Sequence, residues 1–138
     1  MRRAGLVALL LLGCCASAAS PLSDESPKIS SMRFEGLTIR EDMYVPSSEF
    51  DREYKIIVDF EAAVPIKRVL LQTRFADGRV SRIFERSFEV VPPGSLKGVL
   101  VIPSRILRDR MARDTDWWVE DANGRVSNKL IQRVIVRD

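Results

Sequence analysis

The chain contains no histidine. That absence excludes Ser-His-Asp and Cys-His nucleophilic sites and most zinc and copper centres, which depend on imidazole. Its 2 cysteines, Cys14 and Cys15, sit side by side near the start. A domain built from the remainder has no internal disulfide and must be held by packing alone. No glycine-rich phosphate-binding loop is present among the 7 glycines. No apolar run is long enough to span a membrane. The candidate, Ala4 to Cys15, falls short of the roughly 20 residues a spanning helix needs. Aromatic residues make up 7% of the chain, which leaves little material for a sugar-binding platform. An enzyme would have to rely on carboxylates and lysines. No catalytic residue, metal or cofactor is therefore expected.

What the chain does have begins at its N-terminus. Met1-Arg2-Arg3 is a short basic start, Ala4 to Cys15 a brief hydrophobic segment, and Ala16-Ser17-Ala18 a run of small residues. Together they read as a secretory signal peptide over residues 1–18. The expected location is a bacterial cell envelope, tethered or soluble in the periplasm, or the exterior. Two cleavage readings compete. Ala16-Ser17-Ala18 is a small-x-small site that would leave a soluble protein. Leu11-Leu12-Gly13-Cys14 resembles the lipobox of bacterial lipoproteins. That resemblance implies a diacylglycerol on the Cys14 thiol and cleavage before it. Because Cys15 is not Asp, it also implies sorting to the outer membrane. Each buried methylene contributes about 0.8 kcal/mol, so several acyl chains on one cysteine hold firmly. Residues 19–28, rich in Ser and Pro, read as a flexible tether.

The formal charge is +3, from 22 basic and 19 acidic residues. Loss of Arg2 and Arg3 with the leader leaves the two signs nearly balanced. No nucleic-acid partner is expected. Residues 29–138 suffice for one domain with a real core.

That domain reads as strand after strand. Ser30 to Phe34 alternates weakly. Tyr54, Ile56, Val58 and Phe60 alternate with Lys55, Ile57, Asp59 and Glu61, the period-two pattern of a half-buried strand. Val69, Leu71, Thr73 and Phe75 repeat it. Asp77-Gly78 signals a two-residue type I′ hairpin, pairing Ala76 with Arg79, Phe75 with Val80 and Leu71 with Phe84. Leu96 to Ile102 is a nearly continuous apolar strand that Pro103 should stop. Ser104 to Arg113 follows, with Ser104 as the cap of a short helical turn. A closing hairpin runs from Asp116 to Asp121, turns through Ala122-Asn123-Gly124 and returns from Arg125 to Arg137. The expected fold is all-β: an antiparallel immunoglobulin-like β-sandwich of about seven strands, with one short helical turn between the last strands. Val119-Glu120-Asp121-Ala122-Asn123-Gly124-Arg125-Val126-Ser127-Asn128 resembles the closing hairpin of bacterial immunoglobulin-like or fibronectin-III-like domains. The resemblance implies a fold and no activity.

Three groups are candidate functional residues. Trp117 and Trp118 are adjacent and point to opposite faces of a strand. One should fill the core. The other is either a candidate anchor on the outer face, in a patch with Ile57, Leu70 and Ile83, or covered by a long side chain such as Lys129 or Arg133. Arg105, Arg108, Arg110 and Arg113 form the densest basic stretch, a contact for an anionic partner or a solvated helix face. Asp77, Gly78, Asp121, Asn123 and Gly124 are turn residues. Asp114 and Asp116 sit at one end of a strand and Glu120 and Asp121 at the other, too far apart to share a calcium ion. The expected function is non-catalytic: a lipid-anchored domain that binds another envelope protein by surface complementarity or strand addition. The alternative is a soluble periplasmic or secreted module for a small ligand or carbohydrate.

The leader can be tested directly. Expressed with its own signal in a bacterial host, the protein should carry an acylated N-terminus at Cys14 by intact mass, lost in Cys14→Ala. A free N-terminus near Ala19 would select the soluble form instead.

Overall fold

Alternating apolar residues become strands in the computed structural model, which describes residues 25–36, 44–45, 52–105 and 113–136. The strands among them are β1 (Lys28–Glu35), β2 (Tyr44–Val45), β3 (Glu53–Glu61), β4 (Ile66–Phe75), β5 (Phe84–Arg86), β6 (Glu89–Val91), β7 (Lys97–Arg105), β8 (Arg113–Asp121) and β9 (Leu130–Val136). They form a four-stranded sheet in the order β1-β3-β7-β6 and a five-stranded sheet in the order β2-β9-β8-β4-β5. All neighbours pair antiparallel except the short β2, which runs parallel to β9. The fold is an all-β, sandwich-like pair of sheets.

The core lies where the inner faces meet. Ile56, Val58 and Phe60 of β3 and Leu100 and Ile102 of β7 face Val69 of β4 and Trp117 and Val119 of β8. Fully burying a side chain of this size is worth about 1.5–3 kcal/mol. Surface ion pairs such as Arg33 with Asp59, 3.0 Å apart, contribute about 0–1 kcal/mol each. The apolar layer therefore carries the stability that a disulfide would otherwise supplement.

Three local expectations are corrected. Ser104 is not a helix cap. It lies in β7, opposite Tyr54 of β3. No helix occurs among the described residues, and residues 106–112 lie outside them. Pro103 does not stop β7 either. It pairs with Lys55 beyond the stretch that β6 covers, Val99 to Val101. There β7 has a neighbour on one side only, a position where a missing N–H is tolerated. Finally, the turns are not type I′. Only the glycines, Gly78 at φ 89° and Gly124 at φ 79°, take positive φ. Phe75 N–H donates to the Arg79 carbonyl and Gly78 N–H to that of Phe75. This is a type I turn followed by a glycine bulge. The extra residue shifts the local register, so Arg74 rather than Phe75 faces Val80. Further along, Leu71 does face Phe84.

The two hairpins are copies of each other. Ala76-Asp77-Gly78-Arg79-Val80-Ser81 and Ala122-Asn123-Gly124-Arg125-Val126-Ser127 differ at one position. Their hydrogen bonds match too. Ser81 Oγ accepts from Thr73 N–H at 2.9 Å, and Ser127 Oγ accepts from Val119 N–H at 2.9 Å. Because β4 and β8 run antiparallel, the copies are related by a local two-fold axis through the pair Leu71–Trp117. The row Phe84–Leu71–Trp117–Leu130 reads symmetrically across it.

The second hairpin also fastens the first strand. Ile29 N–H donates to Asn128 Oδ1 at 3.0 Å, and Asn128 Nδ2 donates to the Ile29 carbonyl at 2.8 Å. The amide stands in for a strand residue and joins the two sheets. Asn128→Ala should destabilise the domain by about 1–2 kcal/mol, read as a lower urea midpoint, and the Ile29 N–H should lose most of its protection from hydrogen exchange. An unchanged midpoint would refute the fastening role.

Candidate functional site

Cys14, Arg108 and Arg110 lie outside the described residues. Neither tryptophan is an exposed anchor. Trp117 faces the core, where its Nε1–H donates to Gln132 Oε1 at 3.0 Å. Trp118 is on the outer face beside Leu70, as adjacency requires, yet it is only 7% exposed. Lys129 Nζ lies 4.8 Å from its ring centroid. The lysine stem and charge cover the indole, and the cation–π attraction favours that arrangement. The expected outer patch does not assemble. Ile57 belongs to the four-stranded sheet and Leu70 is buried, while Ile83 flanks the other sheet's edge. Arg105 ends β7 in an ion pair with Glu53 at 2.9 Å. Arg113 begins β8, half-buried.

The turn residues do structural work. Asp121 is fully buried at 0% exposure. Its Oδ1 accepts from the backbone N–H groups of Asn123 and Arg125, each at 2.9 Å, and its Oδ2 accepts from Arg125 Nε at 3.0 Å. Burial opposes ionisation here. The two backbone donors and the guanidinium outweigh it and hold the carboxyl below its ordinary range. Arg125 reaches on to Glu25 at 2.6 Å. Asp77, in the other turn, accepts from the Arg79 backbone and side chain.

A cavity opens at one end of the sandwich. Five strands change character on their inner faces as they approach that end. Phe60, Val58 and Ile56 give way to Tyr54; Val69 and Leu71 to Thr73; Leu100 and Ile102 to Ser104; Val119 and Trp117 to Thr115; and Leu130 to Gln132. The result is a polar layer over an apolar core. Gln132 Nε2 donates to Tyr54 Oη at 3.4 Å, and the hydroxyls of Thr73 and Thr115 lie 3.2 Å apart. Ser104, 9% exposed, has a buried hydroxyl with no hydrogen-bond partner among the described residues. This layer borders a cavity of about 370 Å³, within the usual range of small-molecule sites. Leu71, Phe75, Phe84 and Trp117 wall it, and Arg86, Arg105 and Arg113 line it as well. The sequence held a signal for this layer: hydroxyl and amide residues occupy core-facing positions at one end of each alternating segment.

Beside the cavity runs an exposed edge. Among the described residues, β5 ends the five-stranded sheet and has a neighbour on one side only. Val80 is 55% exposed, Ile83 54% and Phe84 38%, three large apolar residues within five positions. The opposite end of the domain is where β1 starts. Lys28 pairs with Glu61, and Glu61 with Lys97, whereas Glu53 and Arg105 mark the cavity end.

No protein-family model matches the chain. Comparison with curated proteins gives no match. Among solved structures, the chain is similar to the solution NMR structure of a conjugate transposon protein, residues 27–141, from Bacteroides vulgatus. The two are 13% identical, with 86% of this chain and 90% of that one covered and a TM-score of 0.36. Among the described residues, no helix is long and apolar enough to cross a membrane, and no group of three or more His, Cys, Asp or Glu is placed to hold a metal.

Asp121 predicts a pH dependence. A carboxylate whose pKa is lower folded than unfolded adds stability above its unfolded value of about 3.9 and loses it as the pH falls through the folded value. Asp121→Asn should cost about 2–3 kcal/mol near neutrality. Its stability should then fall less steeply than the wild type's on acidification below about pH 4. Parallel pH profiles from urea titrations would show that Asp121 does not set this dependence.

Proposed function

We propose that the protein is an exported, non-catalytic binding module of immunoglobulin-like type, tethered to the envelope through Cys14, that docks another envelope protein along β5. The observation that carries the docking is the cluster of Val80, Ile83 and Phe84 at an unpaired sheet edge. Soluble domains usually blunt such edges with charge, proline or a covering segment. Here the short edge strand sets Phe84 between the charged Arg82, Glu85 and Arg86 and keeps Val80, Ile83 and Phe84 exposed. That arrangement suits β-strand addition, in which backbone hydrogen bonds give affinity and alternate side chains give selectivity. Export and tethering are supported by the basic start, the short apolar run and the Leu11-Leu12-Gly13-Cys14 segment. The tether would join the domain at the start of β1. The cavity end would then point away from the membrane surface.

The absence of histidine throughout the chain supports a non-catalytic role. So does the use of the buried carboxylate Asp121 to close a turn.

A photo-crosslinking residue placed at Ile83 in the native host should capture a discrete envelope protein. The same residue at Lys55, exposed on the four-stranded sheet, should not. Ile83→Lys should abolish co-purification of that partner without shifting the melting temperature. Equal capture from both positions, or none from Ile83, would sink the proposed docking edge.

A further inference from the structure

A second site lies behind that edge, and its chemistry points to a small molecule. We infer that the open-end cavity binds a compact hydroxylated organic acid: an anionic group among the arginines, an apolar ring or short chain between the aromatic walls, and a hydroxyl at the polar layer.

Three features carry this. The first is the orphan Ser104 hydroxyl. It is more than nine-tenths buried, borders the cavity and has no partner. Leaving a buried polar group unsatisfied costs about 1–3 kcal/mol, so a native site of this kind calls for a hydrogen-bonding occupant. Tyr54, its partner across the β3–β7 pair, accepts from Gln132, and Ser104 is the buried hydroxyl that no bond among the described residues engages.

The second is charge. Every charged residue among those described as lining the cavity is an arginine: Arg86, Arg105 and Arg113. Glu53 compensates Arg105, and Arg113 has an interaction of its own. Arg86 has no acidic partner among the described residues. Its planar guanidinium beside an apolar cleft matches a carboxylate, which it can bind through paired hydrogen bonds. The third feature is that these chemistries share one cavity. Aromatic walls at Phe75, Phe84 and Trp117 share the cavity with both the arginines and the hydroxyl layer. Rings prefer to stack or meet edge to face there. A ligand that carries an anion, a hydroxyl and an apolar ring satisfies all three.

The two tryptophans make the test internal. Trp117 borders the cavity, while Trp118 lies on the opposite face of the same strand. The mature full-length chain, labelled for NMR, is titrated with 4-hydroxyphenylacetate, and the two indole N–H signals are followed. The Trp117 signal should move saturably and the Trp118 signal should stay. Phenylacetate, which lacks the hydroxyl, and 4-hydroxyphenethyl alcohol, which lacks the charge, should each bind about three- to tenfold more weakly.

Ser104→Ala should remove the advantage of the hydroxylated acid and leave the fold intact, since it deletes a group that has no partner. Arg86→Gln, at an exposed edge position, should remove the advantage of the charged ligand. A Trp117 signal that does not move with any of the three compounds would overturn the inference and leave the cavity to the chain's own residues. Equal affinity for the acid and the alcohol would overturn the assignment of an anion.

Discussion

Contact between two apolar inner faces is the constraint on which everything else in this protein depends. Ile56, Val58, Leu100 and Ile102 on one sheet meet Val69, Trp117 and Val119 on the other, and no disulfide bridges them. At about 25 cal/mol per Å² of apolar surface removed from water, this layer outweighs the exposed ion pairs scattered over the outside. It also explains the strand register. Shifting β3 by one residue would bury Ile57, Asp59 and Glu61 in place of Ile56, Val58 and Phe60.

Given that layer, the closing hairpin does the fastening. Asp121 gathers the turn's backbone donors, Gly124 takes the conformation the bulge needs, Ser127 bonds back to Val119, and Asn128 grips β1. Asp121, Gly124, Ser127 and Asn128 of this hairpin thus each have a structural task. The hairpin between β4 and β5 repeats the turn without the grip, since Arg82 stands where Asn128 does in the copy. One copy locks the sheets together. The other leaves an edge exposed beside a cavity.

That asymmetry distinguishes the two ends of the domain. The end where β1 begins is apolar inside and tied down by Asn128 and the Arg125–Glu25 pair. The other end replaces aliphatic side chains with hydroxyls and amides, keeps an unpartnered serine hydroxyl and gathers arginines. Functional sites commonly depart in this way from the rules that stabilise the rest of a domain.

Much of the architecture was legible in the chain itself. Alternation in Tyr54 to Glu61 and Val69 to Phe75 set which side chains face inward, because the side-chain period of a strand is two. Asp-Gly and Asn-Gly marked both turns. Their type was not legible. A glycine with positive φ serves a type I′ turn or a type I turn with a bulge, and pairing across the hairpin decides between them. Adjacency put one tryptophan on the outer face and left open whether it is an anchor or is covered; Trp118 is that residue, with Lys129 over its ring. Pro103 and Ser104 read as strand stop and helix cap, which local propensity favours. Pairing with Lys55 and Tyr54 of β3 overrode that preference. The cavity could emerge only in the fold, since Tyr54, Thr73, Ser104, Thr115 and Gln132 are distant in sequence and meet only when five strands are set side by side. Sequence determined the faces of the strands, because that information is local. Tertiary structure decided which residues are covered, paired or left facing a cavity, because those properties depend on neighbours far along the chain.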